Sequence, residues 1–542
     1  MRIAQTRAGG RWPWLRSDWP ALLGIAVGLG LFSRVEALPV RLPALLLFGL
    51  LALARPHLML LFVPLTMPMY LIGVLMLGLR ASETRLPLHE IALLCALAGT
   101  LMHIAWGWLS GWRAGERPRF ALTAAALRRF APHALFLLAG VVGLLLAVER
   151  RPALIEFRRI IAEPLIFYAL LLWHTKNQEP IEVRSKKAEG RSNESEAKKP
   201  ASNTFLTSYF LLPPLKSLIT YQVIHAFILG GVLAAAIGLL QVVGLDLIWM
   251  FGDKATVGRA ENVVSDGSLV RATSFYGHPN NLGLALGRVW PLAAVLALAA
   301  WRGLLPRRLA WLYGLAALLC LAGIAVSVSR GAWLGALAAA AVLVGQQLAR
   351  NTRHPRLPWL LGLGAGLVVV VGLVLTLRGG PAGGSGAVRL LIWREALLLI
   401  QQHPLGLGLD QFLYYHDPQY GRSLIDPSLI GTSEQFAAHP HNLLLDAWLR
   451  VGPLGVLALG WLVARYLRAG LRALRDPAAL PALVALGALA ALAAALVHGL
   501  VDNFYFVTDL ALAFWLLLAV VERLEAGGKE PRTVPIAETL RA

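Results

Sequence analysis

The sequence predicts an all-α fold: a polytopic transmembrane bundle of about 12–14 spans, with one large external loop that contains short helices. Three observations lead there. Of 542 residues, 57% are hydrophobic and only 15% charged, which is more apolar surface than a soluble chain can bury. Apolar runs of about 20 residues, the length that crosses a bilayer, recur along the chain. Lysine and arginine stand in short clusters between those runs, so the net charge of +20 reads as membrane topology. Nucleic acid is not an expected partner, because no basic cluster is long enough to track it.

Spans are expected near 20–36, 40–55, 58–79, 88–110, 132–148, 153–173, 217–248, 281–300, 308–327, 332–348, 358–377, 442–464, 479–501 and 504–521. The N-terminus carries Arg2, Arg7, Arg11 and Arg16 ahead of an apolar run from Pro20, like a signal peptide. It has no small-residue cleavage site and leads into further spans, so an uncleaved first helix is expected. Cys95 and Cys320, the two cysteines, each sit inside an apolar run, which argues against a disulfide framework or a cysteine metal site. Four parts follow: an N-terminal bundle over 1–173, a charged linker over 174–216, a second membrane domain over 217–521, and a tail over 522–542. The linker, with Lys186, Lys187, Glu194, Glu196, Lys198 and Lys199, is too polar to build a core and is expected to be disordered.

The basic clusters also give orientation. Arg302, Arg307 and Arg308 form one, Arg350, Arg353 and Arg356 a second, and Arg465, Arg468, Arg472 and Arg475 a third. They alternate correctly if all are cytoplasmic, which puts both termini inside. The opposite side then carries 249–280, the turn at 328–331, the long loop 378–441 and the turn at 502–503. That side should be poor in arginine, yet it holds Arg259, Arg271, Arg330, Arg378, Arg389, Arg394 and Arg422. Anion binding is the cause that fits.

Three segments carry the candidate chemistry. Ser329-Arg330-Gly331 places a guanidinium at a tight turn; it reads either as a snorkelling helix end or as a phosphate fork. Arg389-Leu-Leu-Ile-Trp393-Arg394 opens a helix expected to lie along the external surface, with Arg389 the better placed arginine. His439-Pro440-His441-Asn442 begins another, expected to start at Pro440 with its free N–H groups beside His441. Asn442, Asp446 and Arg450 follow at four-residue spacing as a polar stripe on a membrane helix, and Gly452 and Gly455 permit close packing. Arg271, ahead of Pro279-Asn280, is a further candidate for the substrate, and Asp502-Asn503 for bracing the site. Glu156, Arg158, Arg159 and Glu163 read as an internal salt-bridge set. With no Asp-x-Asp pair and no His-Glu-x-x-His, neither a metal site nor a cofactor is expected.

With these residues in hand, the chain resembles the bacterial O-antigen ligase and O-antigen polymerase superfamily over about 271–521. The ligase signature of His-Asn, nine residues, Gly, two residues, Gly reads here as His441-Asn442 through Gly452 and Gly455 without a gap. Ser329-Arg330-Gly331, Arg389 to Trp393, and His403-Pro404 with Gly406 and Gly408 match in order. The resemblance implies a metal-independent, inverting glycosyltransferase at the periplasmic face of the inner membrane. Its implied donor is a glycan on undecaprenyl diphosphate, and its acceptor lipid A–core (a ligase), another lipid-linked glycan (a polymerase) or a protein. Membrane lipids and a chain-length regulator are the other implied partners. On this reading His441, Arg330 and Arg389 are catalytic, while Arg271, Arg394, His439, Asn442 and Asp446 meet substrate. A flippase or transporter is the alternative of another class; it would show paired repeats, which are not visible here.

Overall fold

A computed structural model describes residues 18–35, 37–75, 85–113, 124–175, 219–251, 263–266, 269–351, 385–476 and 479–527. The helices, in chain order, begin with α1 (Trp19–Arg34), α2 (Leu38–Ala54), α3 (Pro56–Thr66), α4 (Leu88–Arg113) and α5 (Ala124–Leu146). After α6 (Arg150–Glu156) comes a π-helical turn (Phe157–Ala162), then α7 (Glu163–Thr175) and α8 (Ile219–Val242). The rest are α9 (Pro279–Trp301), α10 (Arg308–Val326), α11 (Arg330–Asn351), α12 (Ser385–Gln402), α13 (Phe412–His416), α14 (Leu443–Ala473), α15 (Ala479–Gly499) and α16 (Thr508–Gly527). Among the described residues, strands are limited to two short antiparallel hairpins, β1 (Gly73–Leu75) with β2 (Arg85–Pro87) and β3 (Val263–Asp266) with β4 (Leu269–Ala272). The all-α class is therefore borne out.

Among the described residues, eight helices are long and apolar enough to cross a membrane, or nine if α2 and α3, bent by 112° at Arg55, count as one span. The difference from the expected 12–14 has local causes. Helices α1, α2 and α3 are only 16, 17 and 11 residues long, the expected span 153–173 is interrupted by the π turn, and α16, at the expected span 504–521, carries Asp509, Glu522, Arg523 and Glu525. The expected span 358–377 lies outside the described residues, as do most of the expected linker and the start of the loop 378–441. Large apolar side chains stand exposed on the outside of the bundle, including Trp106 on α4 and Trp311, Leu312, Leu315 and Leu318 on α10. Such a surface suits lipid, and the chain is a multi-pass membrane protein.

Helix α16 runs through the middle. From Leu510 to Val521 every residue is buried, Trp515 completely, as expected of a helix that is apolar all round. Enclosure by other helices is what lets it carry Asp509 and Glu522 at its two ends: Glu522 accepts from Tyr168 on α7 (2.8 Å) and pairs with Arg465 on α14.

Two prolines create breaks that other elements fill. Pro164 has no N–H for the Ile160 carbonyl at the π turn, and Tyr505 Oη donates to it instead (2.8 Å). Pro453 likewise leaves the Leu449 carbonyl of α14 open. The backbone N–H groups of Leu407 and Gly408 occupy it at 2.7 and 3.1 Å, so the segment after α12 is laid across the break. Gly452, at φ +65°, makes the break sterically possible, and its α-carbon faces the Leu405 carbonyl with no room for a Cβ. Arg450 sits buried beside the break, bonded to Asp446 Oδ1 (2.7 Å) and to Glu156 of α6. Of the set Glu156, Arg158, Arg159 and Glu163, only Arg158 and Glu163 pair with each other; Arg158 and Arg159 also reach Glu90 of α4, and Glu156 pairs with Arg450.

Gly452→Ala is expected to lower stability by about 2 kcal/mol or more, because a left-handed residue and a blocked carbonyl contact both oppose the methyl group. Gly460→Ala on the same helix, where nothing lies within 4 Å of an added Cβ, serves as the neutral control. Thermal unfolding of both variants in detergent measures the difference.

Candidate active site

One end of the bundle gathers the starts of α9, α11, α14 and α16 and the ends of α10 and α15. The corner before α14 is built first by its own residues. Asn442 has extended backbone angles and its Oδ1 accepts from the N–H groups of Leu444 (3.0 Å) and Leu445 (3.2 Å), so it is the N-cap. The helix therefore starts at Leu443, not at Pro440. This corrects the sequence expectation: an asparagine cap, not a substrate anion, satisfies the first-turn donors. Asn442 Nδ2 also donates to the Leu500 carbonyl (3.0 Å), so both ends of this side chain position the corner.

His441 precedes the cap in a left-handed conformation, φ +51°, uncommon for a residue with a Cβ. Its N–H donates to His439 Nδ1 (3.2 Å), and its carbonyl accepts from Trp393 Nε1 of α12 (3.3 Å). The two rings stand 4.3 Å apart, edge to face. Val328 (φ 48°), in the turn between α10 and α11, and Ser274 (φ 53°), ahead of α9, are left-handed as well. Strained residues of this kind cluster where a structure holds side chains in functional positions.

Asp502, in the turn between α15 and α16, is where the elements meet. Its carboxylate is 2% exposed. Oδ2 accepts from Asn280 Nδ2 (2.5 Å) and lies 3.9 Å from Arg389 Nη2; Oδ1 lies 3.5 Å from His441 Nδ1. Arg271 extends the chain of contacts, donating to Asn280 Oδ1 (3.2 Å) and to the Ser327 carbonyl (3.2 Å). Burial alone would raise the Asp502 carboxyl. The His441 imidazole facing it, with smaller contributions from the His439 and His498 rings, overrides burial and holds Asp502 well below the usual carboxylate range. Burial keeps the neighbouring His439 neutral, well below the ordinary histidine value, and the charge of His441 adds to that.

The other candidates are placed as follows. Arg330 is exposed as the first residue of α11, and its neighbours tie it to the same end: Ser329 Oγ is 3.4 Å from His498 Nε2, and Gly331 packs on that imidazole with no room for a Cβ. Arg394 is exposed on α12, where its charge acts on Asp426, away from Arg389. Asp446 is buried against Arg450. His498 escaped sequence reasoning, and Asn280 was named only alongside Arg271. The signal for His498 was a lone imidazole in an alanine-rich span; Asn280 was visible only as part of a helix start.

Two groups among the described residues offer ligand atoms within 4.8 Å of one another: His439, His441 and Asp502, and His89, Glu90 and Glu163. In the second, Arg158 already pairs with both carboxylates.

Residues 315–460 match the O-antigen ligase family. The chain carries a domain of the O-antigen ligase and polymerase superfamily. That stretch of the O-antigen ligase domain includes Arg330, Arg389, Arg394, His439, His441, Asn442 and Asp446, and ends before His498 and Asp502. The match supports an O-antigen ligase/polymerase-type membrane enzyme. A search of curated proteins finds no match.

The loop over the site is pinned by His416, which is completely buried. Its Nδ1 meets Glu395 Oε2 of α12 (2.7 Å) and its Nε2 meets the Glu434 carbonyl (2.8 Å). Both partners are acceptors, so the doubly protonated ring suits them. Burial lowers the His416 pKa, but the Glu395 hydrogen bond and charge outweigh it and the value is raised; burial raises Glu395 too. A raised histidine stabilises the fold fully below its unfolded pKa of about 6.5, and that contribution is lost as the pH climbs through the folded value. Hydrogen exchange of residues 403–442 is expected to be slow under mildly acidic conditions and to accelerate as the pH rises through that value. Glu395→Gln should remove the dependence.

Proposed function

We propose that this protein transfers a glycan from undecaprenyl diphosphate to an acceptor hydroxyl at the periplasmic face of the inner membrane, with inversion, and that the acceptor is lipid A–core. The observation that carries this reading is the convergence of His441 and Arg389 on one buried, ionised Asp502. The basic clusters Arg302–Arg308 and Arg465–Arg475 lie at the opposite end of the bundle, which by the positive-inside bias supports a periplasmic site.

His441 Nδ1 faces Asp502, so a proton there is stabilised by the carboxylate and Nε2 is left with the lone pair. Nε2 takes the proton of the acceptor hydroxyl as its oxygen attacks the anomeric carbon. The bond from that carbon to the diphosphate oxygen breaks, and the electron pair leaves with undecaprenyl diphosphate. Arg389 and Arg330, with Arg271 behind them, meet the negative charge that grows on the leaving group. Asp502 holds the ring and stabilises the imidazolium. Asn442 and Trp393 set the corner's backbone, and His439 borders the site where donor and acceptor would lie.

The purified chain, supplied with lipid-linked donor and acceptor, tests this. His441→Ala is expected to lower the transfer rate by about 10²–10⁴-fold and Arg389→Ala by about 10²–10³-fold, at unchanged protein levels. Rates unaffected by both His441→Ala and Arg330→Ala would sink the assignment. In cells, loss of a ligase leaves bare core with a pool of lipid-linked polymer, whereas core bearing a single repeat unit would identify a polymerase.

A further inference from the structure

The geometry points to an inhibitory metal site: His439, His441 and Asp502 form a three-ligand seat for a zinc-type divalent cation that silences the base when occupied. The inhibitory consequence rests on the role proposed above for His441; the seat itself does not.

The separation of His441 Nδ1 and Asp502 Oδ1 is the main argument. At 3.5 Å it is long for a hydrogen bond, and Nδ1 is a buried atom with no hydrogen-bond partner among the described residues. Two ligands each about 2.0–2.1 Å from one tetrahedral ion stand about 3.4 Å apart, so an ion fits between these atoms where a short hydrogen bond does not. The His439 ring lies 4.3 Å from that of His441, and the ligand atoms of all three residues fall within 4.8 Å of one another. Asp502 offers Oδ1 to the ion because Asn280 holds Oδ2 (2.5 Å). Two imidazoles and one carboxylate favour zinc over magnesium, which takes oxygen ligands. The fourth tetrahedral position is left to water.

Binding displaces the proton from His441 Nδ1, and the ring takes one up at Nε2 through solvent, so the imidazole stays neutral and no net proton is released. A neutral imidazole with a metal on Nδ1 must carry its hydrogen on Nε2. Nε2 then has no lone pair for the acceptor hydroxyl, and transfer stops.

The full chain, purified in detergent, stripped with chelator and dialysed, is titrated with zinc chloride by calorimetry, and its metal content is measured. One zinc per chain is expected, with no response to magnesium. His439→Ala and the bulkier His439→Gln should each weaken binding by about tenfold or more, while eluting from a sizing column as the parent does. Transfer by the parent should fall in low micromolar zinc and return with chelator; each variant, normalised to its own metal-free rate, should resist the same zinc. Absence of bound zinc, binding undiminished in both variants, or transfer that rises with zinc overturns the inference. If zinc binding needs His439 but no glycan transfer is ever seen, the enzymatic reading fails and the seat stands. If transfer needs His441 but no zinc binds, the seat fails and the enzymatic reading stands.

Discussion

A single buried carboxylate organises this protein's working end. An ionised aspartate removed from water is costly unless charge and hydrogen bonds surround it, by several kcal/mol in real proteins. Asp502 meets that requirement with Asn280 from α9, Arg389 from α12 and His441 from the corner before α14. None of these three lies near another in sequence. Their convergence is therefore a demand made by Asp502 on the packing of the bundle. Its own turn is held in turn by Asn503, whose Oδ1 accepts from the N–H groups of Tyr505 (2.9 Å) and Phe506 (2.8 Å), and by Arg288, whose Nη2 donates to the Phe504 carbonyl (2.6 Å).

The same logic, an unmet polar group recruiting a distant partner, recurs beneath the site. Pro164 and Pro453 each leave a carbonyl that Tyr505 and the 407–408 backbone fill. Arg450 joins α14 to α6 through Glu156. These contacts tie the N-terminal helices to the O-antigen ligase domain. They also explain how strained residues persist: each left-handed position costs of order 1–3 kcal/mol, and His441 is bound through its N–H, its carbonyl and the following cap at once.

Proton chemistry and metal chemistry compete for one atom, His441 Nδ1. Facing Asp502, it holds a proton and directs Nε2 to the substrate side. Facing an ion, it forces the hydrogen onto Nε2. Arg389 at the second carboxylate oxygen and a neutral His439 beside the ring shape both states.

The sequence by itself determined the helical membrane class, the two-sided distribution of basic residues and the segments 329–331, 389–394 and 439–442, because apolar length, charge placement and cap chemistry are local properties. It left open where helices end: among the described residues a 16-residue first helix and the bend at Arg55 leave fewer full-length spans than there are apolar runs. It put the start of α14 at Pro440, since helix starts depend on which donor finds a partner, and Asn442 proved the better one. Only the tertiary structure decided that Asp502 is the meeting point, that Asn280 and Arg389 reach its carboxylate, and that His498 belongs to the same end. Those facts are distances between residues up to 222 positions apart, and no local pattern encodes them.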